Sequence, residues 1–241
     1  MQTAHARPPV EIAWLGEQPF TETWQTMQHW SQTRTAATPD QIWLLTHPSV
    51  YTQGLNGQPQ HLSTQALSGP IPIVNTDRGG QVTYHGPGQL IGYCLFDLKR
   101  AGCGVKTLVQ AIETSIQTQL QQWALPAHFR AKAPGVYLNE AKVAALGLKV
   151  KHQCTYHGFS LNIDMDLTPF EAITPCGLAH TPVTQLADWL PLAPEPHSTG
   201  LKIAKTLVQT LGLPSELAKA DPWPIIEQIQ TFTRNYSDDN P

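Results

Sequence analysis

The segment Arg78-Gly79-Gly80-Gln81-Val82-Thr83-Tyr84-His85-Gly86-Pro87-Gly88-Gln89-Leu90 constrains the fold of this chain more than any other. It holds four glycines and one proline, with Ile71, Ile73 and Val74 before it and Leu90, Ile91 and Tyr93 after it. Those flanks read as strands. Glycine has no Cβ, so its backbone takes left-handed conformations or approaches a ligand closely. Pro87-Gly88 is a turn signal. The pattern therefore predicts two strands joined by a tight hairpin, with one edge of glycine backbone open to a ligand. On spacing alone a plain turning hairpin carries equal weight, because short glycine patterns are weak motifs.

Around this segment the periodicities alternate. Residues 10–15 and 41–46 read as strands, the second with the continuous apolar centre of a buried sheet. Over residues 20–34, Phe20, Trp24, Met27 and Trp30 recur at helical spacing, and their aromatics read as core. Pro48 breaks the chain, and residues 51–58 read as a glycine-bearing loop. The strand that begins at Leu90 is predicted to continue through Leu98. Leu108, Ile112, Ile116 and Leu120 mark a long amphipathic helix. Residues 142–150 and 156–163 read as paired strands, residues 199–211 and 223–232 as helices, and a polar tail follows from Asn235. These elements predict an α+β fold, a mixed, mostly antiparallel sheet covered by helices. The 241 residues suit a single domain.

Composition narrows the function classes. A formal net charge of −3 gives no nucleic-acid footprint. No apolar run has the length of a membrane span, and the N-terminus carries no secretory pattern. The four cysteines Cys94, Cys103, Cys154 and Cys176 are scattered, which argues against a metal site or a disulfide framework and fits a cytoplasmic protein. Cys94 lies in an apolar run and Cys154 has no evident activator. Cys103 precedes a helix, whose N-terminus lowers a thiol pKa. Cys176 sits between Pro175 and Gly177 in a turn that holds its sulfur outward. From the residues alone, Cys103 and Cys176 compete equally as nucleophile, and a chain with no reactive cysteine remains open beside them. Lys142 enters the apolar run 143–148, where a lysine usually snorkels its amine to water. His85 and His157 each precede a glycine. His85 is expected to shape a pocket wall, and neither histidine to be a base. Gly79, Gly80, Gly147 and Gly158 are candidates to aim backbone amides at a developing oxyanion, against plain turn geometry.

The order of residues adds to this. The segment from Arg78 to Leu90 resembles the signature of the octanoyltransferases that start protein lipoylation. So do the run 135–166, with Lys142-Val143-Ala144-Ala145-Leu146-Gly147 and Tyr156-His157-Gly158-Phe159-Ser160-Leu161-Asn162, and Ile173-Thr174-Pro175-Cys176-Gly177. His47-Pro48-Ser49-Val50-Tyr51-Thr52-Gln53-Gly54 is a weaker match. Together these blocks cover about residues 40–212 in the family's order; residues 213–241 extend past them. The resemblance implies the catalytic-domain fold of biotin and lipoate protein ligases. It implies that Cys176 forms an acyl thioester and that Lys142 lowers the thiol pKa and moves protons. It implies that Arg78, Gly79, Gly80, Gln81, Val82, Thr83, Tyr84 and His85 bind the acyl group and its thioester, together with Ala145, Leu146, Gly147, Gly158, Phe159 and Ser160. The implied donor is octanoyl-acyl carrier protein. The implied acceptors are lipoyl domains of 2-oxoacid dehydrogenase E2 subunits and the glycine cleavage H protein, with no cofactor, metal, nucleic acid or membrane. An ATP-dependent lipoate or biotin ligase is disfavoured, because Arg78 stands alone before Gly79-Gly80. A non-catalytic carrier-binding module is disfavoured because both Cys176 and Lys142 are present.

Overall fold

The computed structural model describes residues 8–131, 133–173, 181–214, 218–219 and 222–238. In chain order the strands are β1 Glu11–Glu17, β2 Gln41–Thr46, β3 Val50–Gln53, β4 Ile73–Asn75, β5 Val82–His85, β6 Gln89–Leu95, β7 Ala127–His128, β8 Val136–Leu138, β9 Ala141–Lys151, β10 Cys154–Asn162 and β11 Ala218–Lys219. The helices are α1 Phe20–Thr33, α2 Thr64–Ser68, α3 Leu98–Ala101, α4 Val105–Gln122, α5 Pro196–Thr210 and α6 Trp223–Asp238. An eight-stranded sheet runs β11-β1-β2-β6-β10-β9-β8-β7, and a three-stranded sheet runs β4-β3-β5. β1 is parallel to β11 and β2, and β3 is parallel to β4; the other pairs are antiparallel. This is the α+β, mostly antiparallel architecture expected. Among the described residues no helix is long and apolar enough to cross a membrane.

The glycine-rich segment departs from the predicted hairpin. β5 lies in the small sheet against β3, while β6 lies in the large sheet between β2 and β10. The turn after His85 therefore carries the chain from one sheet to the other. Gly88 has φ +81°, and a Cβ on it would collide with the Asp164 carbonyl, so glycine is required there. β4 and β5 do not pair with each other because β3 separates them, and β3 occupies the start of the predicted loop 51–58. β6 also ends earlier than predicted: Asp97 caps α3, its carboxylate accepting from Arg100 N–H at 3.0 Å. At the C-terminus α6 continues to Asp238 where a polar tail was expected.

The large sheet is covered on both faces. α4 and α5 pack one face through Leu108, Ile112, Ile116, Ile203 and Leu207 against Ile42, Leu44, Leu90 and Phe96. α1 and α6 pack the other through Met27, Ile225 and Ile229 against Trp43, Leu45 and Leu95. Each such side chain contributes about 1.5–3 kcal/mol by burial. A third cluster, with Tyr51, Val82, Tyr84, Met165 and Ile173, closes the small sheet.

Candidate functional site

β9 and β10 form a long hairpin across a two-residue loop, His152-Gln153, with φ +49° and +65°. Positive φ at both loop residues matches the right-handed twist of the flanking strands. Along this hairpin runs a cavity of about 370 Å³, within the range of small-ligand sites. β9 lines it with Lys142, Ala144, Ala145, Leu146, Gly147 and Leu148; β10 lines it with His157, Gly158, Phe159, Ser160 and Asn162. Arg78, Gly79, Gly80, Gln81, Val82, Thr83 and His85 form a second wall. Tyr84 is the expected ligand-binding residue that does not line it. Its ring packs on Tyr51 and Phe170, and its hydroxyl lies 2.9 Å from Ser49 Oγ.

The glycine wall is held by its own arginine. Arg78 is buried, and its guanidinium donates to the Thr52 carbonyl at 2.5 Å, the Gln81 carbonyl at 2.8 Å and the Gly79 carbonyl at 3.0 Å. Gly79 N–H donates to the Leu148 carbonyl at 2.9 Å, so this amide docks the wall onto β9 and is not aimed at a ligand. A Cβ on Gly147 would stand 3.1 Å from the Gly79 carbonyl, and one on Gly158 would strike the Gly92 carbonyl. Close backbone packing thus accounts for these two glycines.

Lys142 is buried and does not snorkel. Its Nζ donates to the Pro134 carbonyl at 3.3 Å and stands 5.3 Å from the Tyr137 ring centroid. Its backbone N–H donates to the Pro182 carbonyl at 2.8 Å, and its carbonyl accepts from Thr184 N–H at 3.0 Å. The chain that follows Cys176 in sequence is therefore stitched to Lys142, and Thr181 lines the cavity. Cys176 itself, with Pro175 and Gly177, lies outside the described residues. The other cysteines are poor nucleophiles. Burial pushes the Cys94 thiol up to about 12. Burial, then the Asp40 carboxylate, raises Cys103 above its ordinary value, opposite to the effect expected from the start of α4. Burial also raises Cys154. None of the three lines the cavity.

Of three buried histidines, His85 and His157 line the cavity, and His47 stands behind His85 with ring centroids 6.2 Å apart. His85 bonds Gln89 Oε1 through Nδ1 at 2.7 Å and stacks on Phe20 with centroids 6.0 Å apart. Burial, then His47, lowers its pKa to about 3. His47 bonds the Gln18 carbonyl at 2.6 Å and the Tyr93 hydroxyl at 2.7 Å, and burial lowers its pKa to about 4. His157, at φ +59°, bonds Asp77 Oδ1 through Nε2 at 3.1 Å. Burial lowers its pKa, and the Asp77 hydrogen bond opposes the shift. Burial of Asp77 raises its own pKa, but hydrogen bonds from His157, Tyr156 and Trp24 outweigh it and hold the carboxyl well below the usual range. His85 lines the cavity, as expected. Asp77, Phe20, Tyr93, Val105 and Val109 were not predicted as site residues. Phe20 was read as core from its helical spacing, yet it also faces the cavity.

The cavity is thus backed by the sheet and has one buried lysine, Lys142, at its end among the described residues. Residues 20–210 match the family model of the lipoyl protein ligase A/B catalytic domain. The octanoyltransferase of Hydrogenovibrio crunogenus is 52% identical over 182 residues, 76% of this chain and 87% of that one. Among solved structures, a lipoate-protein ligase A bound with ATP matches with TM-score 0.73 at 12% identity, covering 96% of this chain and 95% of that one. A biotin protein ligase from Aquifex aeolicus in complex with biotin and ATP matches with TM-score 0.54 at 14% identity, covering 84% and 70%. These structural likenesses show the biotin/lipoate ligase catalytic-domain fold. The chain belongs to the octanoyltransferases of the lipoyl protein ligase A/B family and is an acyltransferase.

Proposed function

We propose that this chain transfers an octanoyl group from octanoyl-acyl carrier protein to a lysine amine of a lipoyl carrier domain, through a thioester on Cys176. One observation supports it above the rest. The only buried lysine in the cavity wall, among the described residues, is Lys142, and the segment leading back from Cys176 is hydrogen-bonded to its main chain. An ammonium close to a thiol favours the thiolate. The Cys176 thiolate attacks the donor thioester carbonyl, the carbon–sulfur bond to the pantetheine arm breaks, and the departing thiolate takes a proton from Lys142. The acceptor lysine amine then attacks octanoyl-Cys176. Its proton passes to Lys142, the new amide forms, and the Cys176 thiolate is released. Thioester exchange is near balance and amide formation is downhill, so no ATP enters. The carrier domains that fit are those of 2-oxoacid dehydrogenase E2 subunits and of the glycine cleavage H protein.

The fold likeness to an ATP-bound ligase makes adenylation the rival. Arg78 disfavours it, because its guanidinium is engaged with the Thr52, Gly79 and Gln81 oxygens. Intact-mass and peptide spectrometry after mixing with octanoyl-acyl carrier protein separates the two. An octanoyl adduct on the Cys176 peptide, without ATP, is the expected result. Transfer that requires ATP and leaves no adduct would overturn the thioester route.

A further inference from the structure

β9 has two edges, and one of them is interrupted at the cavity. β10 runs along the first. Along the second, β8 pairs as far as Ala144, and the next bond is Gly79 N–H to the Leu148 carbonyl at 2.9 Å. On an antiparallel strand, residues two apart send their amide and carbonyl the same way. The Leu148 carbonyl points to the second edge. So does that of Ala144, since a Cβ on Gly135 would stand 2.7 Å from it. Leu146, midway between them, therefore presents its own N–H and C=O outward, and no described strand or loop pairs with it there. Leu146 lines the cavity. Gln81 lines it too, and Gln81 Oε1 is buried with no hydrogen-bond partner among the described residues.

A hydrocarbon chain cannot satisfy a strand-edge donor and acceptor, and leaving them unmade in a dry site is unfavourable. A secondary amide can, because it offers one N–H and one C=O, as an added strand would. We infer that the β9 edge at Leu146, with Gln81 in the second wall of the same cavity, binds a secondary amide of the arm that bears the acyl thioester. This rests on the acyl-transfer proposal for its choice of ligand. Lys142 stands four residues away on the same strand, roughly 13 Å at 3.3 Å per residue. A pantetheine-type arm, whose amides begin a few bonds from its sulfur, spans that interval.

The test compares octanoyl thioesters of pantetheine, of N-acetylcysteamine and of propanethiol as donors to a lipoyl domain. Their amide content falls from two to one to none. We expect one drop of roughly tenfold in kcat/KM along this series, at the donor that first lacks the amide seated at Leu146. Leu146→Pro deletes the N–H and should compress the difference between the pantetheine and propanethiol donors. Because proline can disturb β9, the wild-type chain supplies a second readout. Hydrogen exchange at the Leu146 amide should slow with S-octylpantetheine, an unreactive thioether, and not with octyl propyl sulfide. Equal kcat/KM for all three donors, or a Leu146 amide indifferent to S-octylpantetheine, overturns the inference. Slowed exchange at Leu146 without transfer from any thioester would sink the transferase proposal and leave the amide site standing.

Discussion

The two ends of the cavity follow different electrostatic rules. At one end a cation, Lys142, is buried against the Pro134 carbonyl and the Tyr137 ring. Around His157, roughly six strand residues or 20 Å further along β9, the charged groups Arg78 and Asp77 are each tied to several protein partners. His157 there is pushed toward its uncharged form, chiefly by burial, as are His47 and His85, although His85 bonds Gln89, whose partner on β10 is Asn162 toward the Lys142 end. Among the described residues, the anion of that region, Asp77, is satisfied by Trp24, Tyr156 and His157. The difference teaches that charge near His157 holds the cavity wall in place, while Lys142 stands where bonds are proposed to change. Phe20, Ile91, Val109 and Phe159 add apolar lining to the cavity, and neutral imidazoles do not penalise a hydrocarbon as imidazolium rings would.

If chemistry belongs to the Lys142 end, the largest effect comes from its proposed nucleophile. Cys176→Ser should abolish octanoyl transfer, whereas Cys103→Ser should leave most of it, since the Cys103 thiol is raised and lies off the cavity. Transfer assays on both proteins check this, and wild-type turnover by Cys176→Ser would break the assignment. Next, Lys142→Ala should slow single-turnover acyl transfer by about 10²–10⁴-fold with little change in carrier-protein affinity. Lys142→Arg should not rescue, because a guanidinium does not give up its proton near neutrality. A raised KM at constant kcat would instead make Lys142 a docking group.

The buried histidines should show themselves in stability rather than rate. The folded-state pKa values of His47 and His85, about 4 and about 3, lie below the ordinary 6.5. Below pH 6.5 the unfolded chain therefore binds more protons than the folded one, so stability falls as pH falls through 6.5 toward 4. Each histidine adds a slope approaching about 1.4 kcal/mol per pH unit. Asp77, whose pKa is depressed, adds stability at higher pH that is lost as pH falls through its folded value. Urea titrations from pH 7 to 4 should show this decline, and His85→Gln should flatten it. A decline as steep in His85→Gln as in wild type would mean that His85 already carries its proton in the folded chain.

Much of this architecture was legible in the sequence, for a physical reason. α4 and α5 each bury one continuous face, and such faces write their period into the chain. The partner of a strand is not written there. β4 and β6 were recognised, but β5 was read as part of the turn and β3, of four residues, is too short to show alternation, so strands of two sheets were taken for one hairpin. Phe20 was taken for core because helical spacing reports burial, and a residue buried against a cavity looks the same as one buried against a sheet. Asp77 stands directly before Arg78, but its role depends on Trp24, Tyr156 and His157, which only folding assembles.

The smallest expected effect concerns the carrier's approach to the cavity rather than the chemistry in it. Acyl carrier proteins and lipoyl domains are characteristically acidic, and the sequence alternation puts Lys149 and Lys151 on one face of β9. Lys151 is exposed and Lys149 half-buried, on the strand that lines the cavity. Arg100 does not join them: it pairs with Asp40 at 2.6 Å and donates to the Ala36 and Thr38 carbonyls. Charges near a binding site speed encounter with an opposite partner and are screened by salt within about a Debye length. Lys149→Glu combined with Lys151→Glu should therefore lower kcat/KM by roughly tenfold or less at low salt, with the loss shrinking as salt rises. The unimolecular acyl-transfer step should keep its rate, since neither lysine lies near Lys142. A flat salt profile, or a charge-reversed chain as fast as wild type, would remove steering from this face. A loss that persists at high salt would instead place both lysines in direct contact with the bound carrier.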